Sequence, residues 1–181
     1  MKATGIVRRI DELGRVVIPK EIRRTLRIKE GDPLEIFTDR DELTLKKYSP
    51  IATLEEFSES TAKSLNLLSG KLSAICDTDG VLHAAGEGKR ELEGKRLSPE
   101  MDKILRERKS YLANASDGEQ IVPVCEFLLD GITSQIIVPI ITNGDCIGAV
   151  VLLSRSEGEK MDSNLLNLVR LTAEILSNHF E

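Results

Sequence analysis

Apolar and polar positions change their period several times along the 181-residue chain. Ala3 to Arg9 and Arg15 to Ile18 are short runs rich in Val, Ile and Thr, separated by Asp11-Glu12-Leu13-Gly14. Their β-branched content predicts two strands, with Gly14 supplying the positive φ of the turn between them. Pro19 stops the second run, and KEIRRTLR after it predicts a helix of about two turns. The 3.6-residue period groups Lys20, Arg23, Arg24 and Arg27 of this helix in one sector and sets Ile22 and Leu26 nearly opposite. KEGDP then reads as a turn, and LEIFT with ELTLKKY as a second pair of strands around Asp39-Arg40-Asp41.

Tyr48-Ser49-Pro50 closes this region, because proline breaks a strand and favours an extended joint. Thr53 is the expected N-cap of the next helix, with Glu55 and Glu56 in its first turn. Leu54, Phe57, Thr61, Leu65 and Leu68 form a stripe at helical spacing, which suits a helix packed both on its own domain and on a neighbour. Past Gly70, LSAICD and VLHAAG read as strands joined by Thr78-Asp79-Gly80, and Pro99 to Arg108 as a helix. IVPVCEFL, SQIIVPII and CIGAVVLLS are apolar and β-branched enough for three more strands, the last two joined at the hairpin signal Asn143-Gly144-Asp145. A helix from Asp162 to Phe180 closes the chain, and its Leu165, Leu166, Leu168, Val169, Leu171, Ile175 and Leu176 cover more than one face. The expectation is an α+β chain of two domains, residues 1–50 and 51–181.

The first domain is too small to stand alone. Roughly 50 residues bury too little apolar surface to offset the entropy of ordering two short hairpins and a two-turn helix. No cysteine or zinc pattern falls within it. The remaining remedy is a second copy of the chain, with strands such as Val16 to Ile18 and Leu34 to Phe37 pairing across a two-fold axis.

Charge adds polarity to this picture. The chain carries a net charge of −5, yet residues 1–50 hold 12 Lys+Arg against 9 Asp+Glu, and residues 1–29 hold 9 against 3. A basic end on an acidic body points to nucleic acid as the partner of that end. Arginine dominates the short helix, and its planar fork matches phosphates and guanine edges. Residues 1–50 contain no Asn or Gln, the side chains that pair with adenine, and Phe37 and Tyr48 are their only aromatics. Adenine readout and base stacking are therefore not expected, nor is deep insertion of a recognition helix, since the helix is short and has no helix-turn-helix partner, which leaves arginine contacts with a degenerate, shape-based preference.

The stretch TGIVRRIDELGRVVIPKEIRRTLRIKEGDPLEIF, with LGRVVIPKEIRR at its centre, resembles the DNA-binding domain of the AbrB-like transition-state regulators. The resemblance implies a swapped-hairpin homodimer that binds double-stranded DNA. It assigns DNA contacts to Arg8, Arg15, Arg23 and Arg24, with Arg9 as a further candidate whose strand neighbour Arg8 points to the other face. Residues 53 to 181, with the phrase IIVPIITNGDCIGAVVLLS, resemble a GAF domain. That implies a dimerisation unit, a binding domain for an unidentified small molecule, or both, with no resident cofactor. An AbrB-like head on a GAF-like body resembles transcription regulators of spore-forming bacteria that act, as activator or repressor, on genes of late forespore development. Two interfaces joining different pairs of chains would build a homotetramer.

Enzyme signatures are missing. GEGKRELEGKR is one residue too long for a phosphate-binding GxxxxGK and has Arg96 where Ser or Thr would hold magnesium. His83 and His179 are isolated, so no metal site is expected. Cys76, Cys125 and Cys146 lie far apart in apolar surroundings and read as reduced core residues. Two rival functions follow from the same resemblances. One is an antitoxin with a swapped-hairpin head, which would need a disordered toxin-binding tail. The other is a GAF-type methionine-sulfoxide reductase, which would need reactive thiols at a spacing these cysteines lack. With no run approaching the ~18 apolar residues of a membrane span and no leader signature at the start, the expected location is the cytoplasm.

Overall fold

The computed structural model describes residues 5–126 and 130–180. The chain divides into two compact units, Met1–Tyr48 and Ser49–Glu181.

In the first unit α1 spans Lys20–Thr25 and begins after Pro19, whose φ of −58° is already set for a helix start. Strands β1 (Leu34–Asp39) and β2 (Glu42–Lys47) form an antiparallel hairpin in register from Leu34 opposite Lys47 to Asp39 opposite Glu42. Lys46 sits over the Phe37 ring at 4.8 Å, and Lys47 pairs with Asp32 at 3.3 Å. Residues 5–9 and 15–18, expected as strands, carry no ladder in the single chain; Ala3 and Thr4 lie outside the described residues. A ladder needs a continuous partner strand in register, and among the described residues neither run belongs to a sheet. None of residues 5–48 is buried. Val7 is 85% exposed, Leu13 70% and Val17 73%.

The second unit is a five-stranded antiparallel sheet in the order β4-β3-β7-β6-β5, built from β3 (Leu72–Asp77), β4 (Val81–Ala85), β5 (Tyr111–Asn114), β6 (Ser134–Thr142) and β7 (Asp145–Ser154). Helices α2 (Glu55–Ser69) and α5 (Ser163–Ser177) cover one face, over Ile75, Ile136, Val138, Val150 and Leu152. On the other face, Leu92 of α3 (Lys89–Leu92) and Met101 and Leu105 of α4 (Pro99–Glu107) pack with Cys76, Ile137, Val151 and Leu153. A sheet covered on both faces explains why β6 and β7 read as continuous apolar runs rather than alternating ones. Asn143 and Gly144 take φ of 50° and 85° between them, the left-handed pair that a two-residue hairpin requires. At Gly148 a Cβ would lie 2.0 Å from the Cys76 carbonyl oxygen, so only glycine allows β3 and β7 to meet there.

Several expectations are corrected. Thr53 does not cap α2: Ile51–Leu54 forms a 3-10 turn, and the Thr53 hydroxyl donates to the Pro50 carbonyl at 2.6 Å. The stripe expected on α2 divides, as a helix packed on two sides requires: Leu65 is buried with Ser58 and Ala62, and Leu68 is 72% exposed. IVPVCEFL forms no strand over residues 121–126, where a single bridge pairs Leu97 with Cys125; Phe127 and Leu128 lie outside the described residues. Its apolar side chains Val124 and Cys125 pack down on the sheet instead of extending it. The edge strand β5 was not expected, its four residues being too short for a periodic signal. Ser98 and Asp162 cap α4 and α5 by accepting from the Met101 and Leu165 amides at 2.9 Å each.

Candidate nucleic-acid interface

The five arginines expected to meet DNA stand on three local structures of the first unit. Arg8 and Arg9 are consecutive residues of the extended segment before Asp11, and both are exposed. Arg15 follows the turn at Asp11–Gly14. There Gly14 has φ 76° and donates its amide to the Asp11 carbonyl at 3.0 Å. Arg23 and Arg24 lie in the last turn of α1, exposed, where positive charge complements the C-terminal end of the helix. Arg27 does not share their helical sector: α1 ends at Thr25, and Arg27 takes φ 52°, with its amide on the Arg24 carbonyl. The chain turns there so that Ile28 bonds back to the Arg23 carbonyl at 2.8 Å, which a longer helix would forbid.

One residue of this region was missed in the sequence. Asp11 accepts from the amides of Leu13 and Arg15 on Oδ1, at 3.0 and 2.8 Å, and from the Arg15 Nε on Oδ2 at 2.8 Å. The Arg15 amide, and then its guanidinium, hold the Asp11 carboxyl below the ordinary carboxylate value. The signal was present as DELGR, an Asp followed by Gly three residues on and Arg four residues on, the pattern of a side-chain-closed turn.

In the second unit a cavity of about 200 Å³ is lined by Asn66, Lys71, Glu87, Ile132, Leu153 and Arg155 among others. Its basic groups are engaged: Arg155 donates to Glu91 at 2.7 Å, and Lys71 pairs with Glu159. Their partners Glu91 and Glu159 are held below the usual carboxylate range by these bonds. Burial pushes all three thiols up, Cys125 to about 11. A protonated, buried thiol is a poor nucleophile at neutral pH. Cys76 and Cys125 are core residues as expected, whereas Cys146 is half-buried and donates to the Gly148 carbonyl. Among the described residues no cluster of three or more His, Cys, Asp or Glu is placed to hold a metal ion. No described helix is long and apolar enough to cross a membrane.

Comparison with known proteins places both units. Residues 53–181 match the family described as "Stage V sporulation protein T C-terminal, transcription factor", and residues 7–53 match "Antidote-toxin recognition MazE, bacterial antitoxin". Stage V sporulation protein T of Bacillus subtilis (strain 168) is 48% identical over 158 residues, 87% of each chain. The transition state regulatory protein AbrB of the same organism is 56% identical over 72 residues, 40% of this chain and 75% of that protein. A GAF domain region of a membrane protein from Geobacter sulfurreducens superposes with a TM-score of 0.55 at 21% identity, over 72% of this chain and 94% of that one. The free methionine-R-sulfoxide reductase of Thermoplasma acidophilum does so with 0.53 at 12%, over 69% and 93%. At such identities the last two show a shared fold and nothing of a shared reaction. By its C-terminal match and its identity over most of its length, the chain belongs to the stage V sporulation protein T family of transcription factors, with an AbrB-type N-terminal domain.

Proposed function

We propose that this chain regulates transcription of late sporulation genes in the cytoplasm of the forespore. In this reading residues 1–50 are a swapped-hairpin homodimer that grips double-stranded DNA through Arg8, Arg9, Arg15, Arg23 and Arg24. Residues 51–181 are a GAF-like domain that joins such dimers and senses a small molecule.

The observation that carries the reading is the empty interior of the head: among its described residues none is buried, while Val7, Leu13 and Val17 stand in solvent. Fixing a backbone costs roughly 1–2 kcal/mol per residue, and a unit without a core has nothing to offset that cost. A second copy interleaved with the first supplies the missing burial and doubles the arginines on one surface. A second interface is supported by exposed Leu68 of α2 and Leu171 and Ile175 of α5, two helices that pack side by side on one face of the sheet. Dimers joined there form a homotetramer, whose two heads gain affinity through effective concentration.

The antitoxin reading has the head match in its favour. The folded second unit opposes it, because an antitoxin tail would lack the two buried layers seen from Ile51 onward.

Salt titration of promoter binding tests the proposal. With Arg8, Arg15, Arg23 and Arg24 of each chain on phosphates, and Arg9 turned to the other face and contributing none, log Kd should change with log salt with a slope of about 7 for a dimer, at ~0.9 per phosphate. Arg23→Ala should lower that slope by roughly 2, one phosphate per copy. Binding that hardly changes between low and high salt would remove the arginine mechanism.

A further inference from the structure

We propose that Asp11 is a positioning residue for DNA recognition: its carboxylate clamps Arg15 by Nε and presents the two terminal guanidinium nitrogens to the duplex. The proposal rests on the reading of Arg15 as a DNA contact.

Five hydrogen bonds build the clamp. Asp11 donates its amide to the Arg15 carbonyl at 3.0 Å, and its own carbonyl accepts from Gly14 at 3.0 Å. Its Oδ1 accepts from the amides of Leu13 and Arg15, and its Oδ2 from the Arg15 side chain. The two oxygens are thus divided: one closes the turn, the other holds the guanidinium. Only Nε of Arg15 is engaged, at 2.8 Å, although 70% of the side chain is exposed. Nη1 and Nη2 remain, and these are the pair whose spacing suits O6 and N7 of guanine or two phosphate oxygens.

Stability is a poor explanation for such an arrangement, since exposed ion pairs between flexible side chains contribute little to folding. Orientation is a better one. A free arginine loses rotamer freedom when it docks, and a side chain already fixed in the unbound protein loses less. A carboxylate on a DNA-facing loop also repels phosphate, so its presence lowers non-specific affinity. Both effects raise the ratio of specific to non-specific binding.

The sign of one substitution separates this role from plain repulsion. Asp11→Asn keeps an oxygen to accept from the two amides and loses the charge that holds Nε. In the full-length protein, with affinity read by fluorescence anisotropy on a target promoter duplex and a random duplex, Asp11→Asn should weaken target binding about tenfold. Random-duplex binding should stay level or tighten, and melting should be unchanged. In an Arg15→Ala background the same substitution should cause no loss of target affinity, which stays level or tightens as the repulsive charge is removed. Three results would overturn the clamp: equal tightening on both duplexes, which makes Asp11 a simple repulsive charge; an equal loss in the Arg15→Ala background; or a lowered melting point that accounts for the loss. Asp11→Ala, which also opens the turn, shows how large a purely structural defect is. If Arg15→Ala alone leaves promoter affinity intact, the DNA reading of Arg15 fails and the clamp with it. If only Asp11→Asn is silent, the clamp alone fails.

Discussion

Ile136 and Leu152 in the body of the protein are 0% exposed, whereas Val7 and Val17 in the head, equally apolar, are 85% and 73% exposed in the single chain. Every buried hydrophobic side chain among the described residues lies at or beyond Ile51. The body therefore carries its own core in two layers, one on each face of its sheet. Among its described residues the head carries secondary structure without a buried core. Regular elements and a stable interior are separate achievements, and a chain that has the first without the second is organised for association.

The sharpest attack on this contrast is a cavity in the body. Leu152→Ala removes a fully buried side chain beneath α2 and α5 and should destabilise the body by about 2–5 kcal/mol. Urea unfolding reports the loss as a lower midpoint with an unchanged slope. A loss under about 0.5 kcal/mol, the range of surface substitutions, would mean that the body core is not what holds it together.

The converse substitution belongs in the head. Val17→Asp changes a side chain that is already in solvent in one chain, so a monomeric head would tolerate it. In an interleaved dimer each copy forfeits a burial of roughly 1.5–3 kcal/mol, and promoter affinity should fall by tenfold or more. Body unfolding should stay within about 0.5 kcal/mol of the parent. Intact promoter binding in Val17→Asp would erase the contrast between the two units.

The same contrast governs what could be read from the chain. In the body, Asn143-Gly144 placed the β6–β7 hairpin, and the stripe on α5 placed a helix with more than one apolar face, because each signal is local. IVPVCEFL misled for the opposite reason: a run that packs on top of a sheet and a strand buried within one are equally apolar, and only tertiary context separates them. Thr53 misled because two helical beginnings compete within four residues, and Pro50 starts the chain turning first. In the head the arginines are assigned to DNA only through family resemblance, while the contacts of Asp11 gave no sequence signal as clear, since they depend on which atoms of Arg15 it meets. The strands expected at residues 5–9 and 15–18 would need a partner strand from a second chain, and the single chain displays no ladder there.

The smallest predicted effect uses the cysteines, all of which lie in the body. Thiol chemistry therefore reports on the body alone. Cys125 has its thiol raised by burial from 9.0 to about 11, and Cys76 is raised by burial as well. A raised acid holds its proton more tightly when folded, so below about pH 9 folded and unfolded thiols are both protonated and contribute no pH dependence. Between pH 9 and about 11 the unfolded thiol ionises while the folded one does not. Deprotonation then favours the unfolded state, and the melting midpoint should decline over that window and no earlier on this account. Alkylation at neutral pH should be slow, because it waits on opening of the body and on a small thiolate fraction. Val17→Asp should leave that rate unchanged, and Leu152→Ala should raise it in proportion to the more frequent opening. Fast labelling of Cys76 or Cys125 at pH 7 in the folded parent would contradict both the burial and the raised thiols, and would reopen the case for reactive cysteines in the body.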